Sequence, residues 1–249
     1  MGSGKYDAKN SIPVTTENLP LRATDLKQKF GVFGHFYDLR IGDECIPCRS
    51  VLELIAHDQT PLYLGHLAES TPQLITVMMN PGSSKPLDPD YIPDEIDRIE
   101  DVRRKREWVP ARPDNTQYQI MRVLAANGLH HARILNLSDI RNPKSGQFMD
   151  TVHRLNGLPD GALHSIFCSE RTTELTALVG GPDIPVLAGW GRNRRLRPLA
   201  EKALARLSGR KLLGLPVEDG TLFAHPSPML QRMKDIWLSE INRQFSTIR

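Results

Sequence analysis

The stretch LITVMMNPGSS, residues 74–84, decides how this chain is read. Its opening run, with Ile75, Thr76 and Val77 branched at Cβ, predicts a short buried strand. Asn80-Pro81-Gly82 then stops it, because proline cannot donate to a ladder and glycine admits the left-handed turn. Polar backbone is thereby exposed at the carboxyl end of a strand, where open α/β sheets keep their ligands.

Working outward, three more apolar runs, at 133–137, 184–188 and 221–224, alternate with helical patterns. Asn115-Thr116 predicts the cap of a helix carrying Tyr118, Met121, Val123 and Leu124 and stopping at Asn127-Gly128. Residues 169–179 end at a glycine pair, 194–207 place Leu196, Leu199, Ala200 and Ala203 at helical spacing, and the tail from 228 aligns Leu230, Met233, Trp237, Ile241 and Phe245. Strands alternating with helices predict an α/β fold: three α/β/α layers around a central, mostly parallel four-stranded sheet. The polar strand ends, Asn80, Asn136, Gly189-Trp190-Gly191-Arg192 and His225, should then meet on one rim.

Residues 1–65 stand apart as an N-terminal extension, a short hairpin or helices packed on the core, and 66–249 as the α/β domain. Within the latter, 85–114 is rich in proline and in charges of both signs and reads as a long loop or insertion, a candidate lid.

Composition excludes several classes. At 249 residues the chain can bury one full core and is short for two. Apolar residues at 39% and charged residues at 24% are the balance of an ordinary globular protein. No apolar stretch reaches the length of a bilayer span, and the start, MGSGKYDAKNSIPV, lacks the apolar centre of a signal peptide, so a cytoplasmic location and no membrane partner are expected. That start reads as a flexible leader; its GSGK follows no strand and has the wrong spacing for a phosphate loop.

A net charge of +3 is too small to imply nucleic acid, but it is unevenly spread. Between 192 and 211 stand Arg192, Arg194, Arg195, Arg197, Lys202, Arg206, Arg210 and Lys211, opposed only by Glu201. Such a block predicts either a surface for phosphates or a solvated helix face. Three cysteines in a chain this long make no disulfide framework. Cys45 and Cys48, flanked by His35 and His57, satisfy the arithmetic of a zinc site, but the spacing is irregular and no metal is expected. Cys168 lies in an apolar stretch and reads as a buried filler.

The strand ends match a known pattern. MMNPGSS at 78–84, followed by AHPSPML at 224–230, resembles the two signature motifs of the uracil-DNA glycosylase superfamily. The first is similar to the G-x-N-P-G form of its mismatch-specific and single-strand-selective branches, the second to the H-P-S-P-L form of its uracil-specific enzymes. Ile134-Leu135-Asn136 resembles the strand whose asparagine reads the base, and Ala188-Gly189-Trp190-Gly191 the family's L-W-G strand end. The match covers residues 74–240.

The resemblance implies an enzyme that flips a nucleotide out of DNA and hydrolyses its N-glycosidic bond. Asn80 would hold the attacking water, orienting it without taking its proton, since an amide is no base at neutral pH. His225, neutral and donating, would stabilise charge on the pyrimidine O2. Met79, Gly82 and Asn136 would form the base pocket. Trp108 would stack on the base, with Tyr91 in reserve, unless it is a lid anchor in the core. Met229 would fill the gap left by the flipped nucleotide. Ser83, Ser227, Arg192, Arg194 and Arg195 would meet the DNA backbone. A monomer without a cofactor is expected.

One departure matters. The uracil-specific enzymes carry a tyrosine near the first motif that rejects 5-substituents, whereas Gly82-Ser83-Ser84 leaves room there. The expected substrate is therefore uracil or, rather, a 5-modified pyrimidine, even a hypermodified phage base, in DNA repair or antiviral defence. No lysine stands in the motifs, so strand cleavage through a Schiff base is not expected. Two other readings stay open: a non-catalytic module binding DNA or a modified base, and a hydrolase of free nucleosides or nucleotides.

Overall fold

The computed structural model describes residues 21–60 and 64–248; the predicted leader lies outside the described residues. Ten strands and seven helices follow in the order α1 (Ala23–Lys29), β1 (Phe30–Ile41), β2 (Glu44–Ala56), β3 (Leu74–Met78), β4 (Asp94–Ile96), α2 (Ile99–Arg104), β5 (Val109–Pro110), α3 (Asn115–Ala126), β6 (His131–Asn136), α4 (Ser145–Leu155), α5 (Thr172–Val179), β7 (Val186–Ala188), α6 (Arg197–Arg206), β8 (Leu212–Leu213), β9 (Pro216–Val217), β10 (Leu222–Phe223) and α7 (Gln231–Ile248) among the described residues.

The class is α/β with a mixed, mostly parallel central sheet, but the sheet has eight strands rather than the four expected. Their order is β4-β1-β2-β6-β3-β7-β8, with β5 also on β1. Pairing is parallel from β6 through β3 and β7 to β8 and again between β1 and β4, and antiparallel at β1–β2, β2–β6 and β1–β5. The hairpin expected to be short runs over 12 and 13 residues, and β2 joins the central sheet through Leu52–Ile55 against Ile134–His131. Segment 85–114 is not a bare loop: β4 and β5 both pair with β1, so it is laid along the β1 edge of the hairpin.

The fourth parallel strand is also relocated. The apolar run at 221–224 forms β10, which pairs with β9 in a separate two-stranded ribbon, while Leu212–Leu213 takes the place beside β7. Gly214 explains the divergence. It sits at φ +143, and a Cβ there would meet the Ala188 carbonyl oxygen at 2.7 Å and the Phe223 ring at 2.6 Å, so only a glycine lets the chain leave the sheet so close to β7.

Alternate strand residues feed two cores. Ile75, Val77, Leu135 and Val186 pack on the side covered by α2, α4, α5 and α6, whereas Leu74, Met78, Ile134 and Leu187 pack on the side covered by α1, α3 and α7. The chain enters β6 from α3 on one face and leaves it for α4 on the other. Adjacent parallel strands whose connections part in this way open a crevice at their carboxyl ends. Asn80 and Asn136 flank that crevice.

Among the described residues no helix is long and apolar enough to cross a membrane. Nor is there a group of three or more His, Cys, Asp or Glu side chains able to hold a metal. Cys45 is exposed and hydrogen-bonds Glu95, Cys48 and Cys168 are buried, and all three are free thiols.

Candidate functional site

The first polar side chain after β3 is tied down at once. Asn80 Nδ2 donates to the carbonyls of Ile140 (3.1 Å) and Asn142 (2.8 Å), both in the loop after β6. Two acceptors can be met only by the NH₂ half of the amide, so its orientation is chemically fixed. Asn80 Oδ1 is the half left as an acceptor. Gly82 follows at φ +61, and a Cβ there would meet nothing within 4 Å.

Asn136, the last residue of β6, is fully buried. Oriented donor to acceptor, its amide donates to the backbone carbonyl of Asn80 (3.3 Å) and accepts from Arg49 Nη2 (3.1 Å).

His225 arrives from the other side of the sheet. The segment before it is held by two buried indoles, Trp190 Nε1 donating to Thr221 O (3.1 Å) and Trp237 Nε1 to Ala224 O (3.2 Å), and by the Gly191 N–H on Phe223 O (2.8 Å). Gly189 admits this crossing, since a Cβ would press on the Pro226 ring at 3.0 Å. The Ser227 N–H donates to His225 Nδ1 (3.1 Å). An accepting Nδ1 places the proton on Nε2, and burial holds the imidazole below its ordinary pKa. His225 is thus a neutral ring with an Nε2–H to offer.

Asn80, Asn136, His225, Met79 and Gly82 line one cavity of about 160 Å³, together with Arg49, Asp114 and Gln117. Five residues expected for catalysis and base binding therefore meet. Trp108 does not join them. Its ring is buried in the core on the α2/α4 side, beneath the Arg106 guanidinium at 5.9 Å, which is the core-anchor alternative. Tyr91 donates to Glu107 on the same outer segment.

The residues expected to meet DNA divide. Met229 is fully exposed at 100% and Leu230 at 69%, shortly after His225 in the chain. Ser83 is exposed beside Gly82, and Ser227 gives its N–H to His225. Arg192 is exposed and lines a neighbouring apolar hollow with His225, Met233 and Trp237. Arg194 and Arg195, by contrast, are ion-paired with Glu218 and Asp150 at 2.8 Å each, and Arg197 pairs with Glu218 and Asp219. Arg206 and Arg210 donate to backbone carbonyls. Three cations of the basic block are thus matched by carboxylates from outside its own window.

Asp114, Gln117 and Arg49 are among the pocket residues that escape the sequence reading. Asp114 caps α3, its Oδ1 taking the N–H groups of Thr116 (2.8 Å) and Gln117 (3.0 Å), while Gln117 Oε1 accepts from the Asp114 N–H (3.1 Å). This is a capping box, visible as Asp114 followed three residues later by glutamine, and it corrects the expected Asn115-Thr116 cap. It leaves Asp114 Oδ2 and the Gln117 NH₂ for the pocket. Arg49, from β2, carries no local signal at all.

Beneath the site lies a buried charge network. Asp139 accepts from Tyr37 Oη (2.8 Å) and Arg171 Nη1 (2.6 Å); Arg171 Nε reaches Glu174 (2.8 Å), which also accepts from Arg106 (2.5 Å). It ties the hairpin, the end of β6 and α5 into one support.

Compared with protein-family models, with curated proteins and with solved structures, the chain matches none.

Proposed function

We propose that this protein is a monofunctional DNA glycosylase that hydrolyses the N-glycosidic bond of uracil or a 5-modified pyrimidine. The observation that carries the reading is the pairing of Asn80 and His225 in one pocket, each with its polarity set by backbone bonds: an amide oxygen on one, an Nε2–H on the other.

The chemistry follows from those polarities. The C1′–N1 bond breaks with its electron pair leaving on the base, which generates positive charge on the sugar and negative charge on the pyrimidine. His225 Nε2–H donates to the O2 that gains charge; one such donor is worth about 3 kcal/mol in a water-poor site. Asn80 Oδ1 accepts a hydrogen bond from water and directs its lone pair at C1′, while the proton is lost to solvent. The carboxylate of Asp114, its Oδ1 already engaged by the helix cap, offsets the positive sugar. Open space at Gly82 suits a substituent at C5, including a hypermodified one, and fits repair or antiviral defence. Exposed Met229 suits insertion into the base stack.

The free-nucleoside reading draws on one observation: Arg194, Arg195 and Arg197 are matched by carboxylates, which weakens the phosphate surface. The test serves both. The protein and its Asn80→Ala variant are incubated with DNAs containing uracil, 5-hydroxymethyluracil, 5-hydroxymethylcytosine or glucosylated hydroxymethylcytosine, and with the free nucleosides, and released bases are identified by mass spectrometry. Release from DNA that depends on Asn80 is the expected result, with strands left intact. Release from nucleosides alone would select the second reading; tight DNA binding without release would select a recognition module.

A further inference from the structure

We propose that Arg49 is the anion-binding residue of the pocket, a guanidinium delivered by the N-terminal hairpin to take the negative charge of the departing base. The role rests on the glycosylase reading; the charge site itself does not.

Three arginines are fully buried among the described residues. Arg133 is matched by Glu53 at 2.5 Å, and Arg171 by Asp139 and Glu174. Arg49, at 2% exposure, has no carboxylate within ion-pair distance among the described residues. Its one side-chain bond is to a neutral amide, Asn136, and its Nε has no partner. A buried cation in such a setting is costly unless something neutralises it. Burial lowers its pKa to about 10, which still leaves it charged at neutral pH. Asp114, which lines the same cavity, and Asp139 act on its charge favourably without pairing with it, and Arg141 opposes it. Arg49 lines the same cavity as Asn80, Asn136 and His225, so a ligand there meets it directly.

A departing pyrimidine fits this demand. As the C1′–N1 bond breaks, its electron pair spreads from N1 over the ring carbonyls. The base leaves as an anion, water adds to C1′, and solvent later returns a proton to N1. The neutral N–H of His225 covers one oxygen; a planar guanidinium adds a full charge whose benefit grows as the bond breaks. Binding at a fixed charge thus becomes stronger in the transition state than in the ground state, which is the requirement for catalysis.

A structural role, in which Arg49 only holds Asn136, would slow all substrates alike. The test therefore varies the leaving group. Single-turnover release is compared for DNA containing uracil and 5-fluorouracil, whose N1 anion is the more stable, using wild type, Arg49→Gln and Arg49→Lys. Arg49→Gln is expected to lose about 100-fold on uracil and no more than roughly tenfold on 5-fluorouracil. In parallel, calorimetric titration compares neutral uracil with barbiturate, a planar pyrimidine that is anionic at neutral pH. Wild type is expected to prefer barbiturate by about tenfold, Arg49→Lys to keep a preference, and Arg49→Gln to lose it.

Equal losses on both leaving groups, with the preference for barbiturate unchanged, would overturn the proposal and leave Arg49 a support for Asn136. Absence of release from any DNA, with an Arg49-dependent preference for barbiturate, would retain the charge site and refute the glycosylase reading. Absence of both would refute both. If Arg49→Gln shows no cooperative melt, Arg49→Lys decides: loss of the barbiturate preference in a folded, charged variant would overturn the proposal.

Discussion

Replacing Asn80 by aspartate installs a general base where the proposed mechanism has only an orienting amide, and a faster enzyme is the natural guess. The geometry points the other way. Both amide hydrogens of Asn80 are donated to carbonyls, at 3.1 Å to Ile140 and 2.8 Å to Asn142. A carboxylate can only accept, so two donor–acceptor contacts become oxygen facing oxygen. Leaving a half-buried polar group without its partner costs about 1–3 kcal/mol, hence roughly 2–6 kcal/mol for the pair, and added negative charge raises that further. Protonation would restore one of the two donations, so the pKa of the introduced carboxyl should rise, and the stability deficit should shrink as pH falls through that raised value. The assay is urea melting of wild type and Asn80→Asp at pH 8 and pH 5, beside single-turnover base release at both. The variant is expected to be less stable and slower at pH 8, with the stability gap narrower at pH 5. An Asn80→Asp protein as stable as wild type at pH 8 and faster at base release would refute the claim that the two carbonyls fix this side chain.

The remaining expectations are more compact. His225→Ala should lower base release by about 10²–10³-fold, and the wild-type rate should stay flat from pH 8 to 6.5, because a ring already neutral and accepting at Nδ1 has no charge to lose; a rate that climbs on acidification through pH 6.5 would identify the imidazolium as the acting species. His35 and His164 are buried neutral, their pKa values lowered by desolvation to about 3 and about 4. The unfolded chain binds protons first as pH falls below 6.5, so each histidine should cost roughly 2 kcal/mol of stability between pH 6.5 and 5, and urea melts of His35→Asn and His164→Gln should show shallower pH dependence. Arg171→Met strips Asp139 and Glu174 of their shared cation and should destabilise by about 3–5 kcal/mol in denaturant melts. Arg192→Ala should flatten the salt dependence of DNA binding by about one phosphate contact, whereas Arg194→Ala, already matched by Glu218, should change the slope little when binding is titrated against salt.

The local signals served where the physics is local. The run at 74–79 and the one at 133–137 are β3 and β6 because short apolar stretches closed by turn chemistry have few other ways to be buried. Helix α3 stops at Asn127 and Gly128, and Trp237, Ile241 and Phe245 face the core from α7 as their spacing requires. Misreadings arise where a partner decides. Residues 221–224 are as apolar as a central strand, but the place beside β7 goes to a two-residue strand too short to leave a pattern, and Gly214 steers the chain away before 221 is reached. Leu230 and Met233 share the spacing of Trp237 and are nonetheless exposed at 69% and 39%, because among the described residues the start of α7 is left open. The arginine block looks unopposed in its own window, yet Asp150, Glu218 and Asp219 reach it from outside that window.

The candidate site shows the same division, and the hairpin lies on its non-local side. Asn80, Asn136 and His225 announce themselves through turn and strand-end chemistry in residues 74–240. What orients them comes from elsewhere. The Asn80 amide is held by carbonyls of residues 140 and 142, and that loop is in turn held by β2: the Arg49 N–H donates to Asp139 O (2.9 Å), the Arg141 N–H to Pro47 O (2.8 Å), and Cys48 bridges Ile140. Each is an antiparallel contact between segments about 90 residues apart, and such pairing leaves no trace in either segment. A hairpin read from its own residues is an appendage. Placed against the end of β6, it sets the backbone that fixes Asn80, supplies the guanidinium that fixes Asn136, and brings a buried positive charge into the pocket. Residues 47–49 are thus as much a part of the site as the motif at 80–82, because a side chain's chemistry is decided by the groups that limit which way it can point.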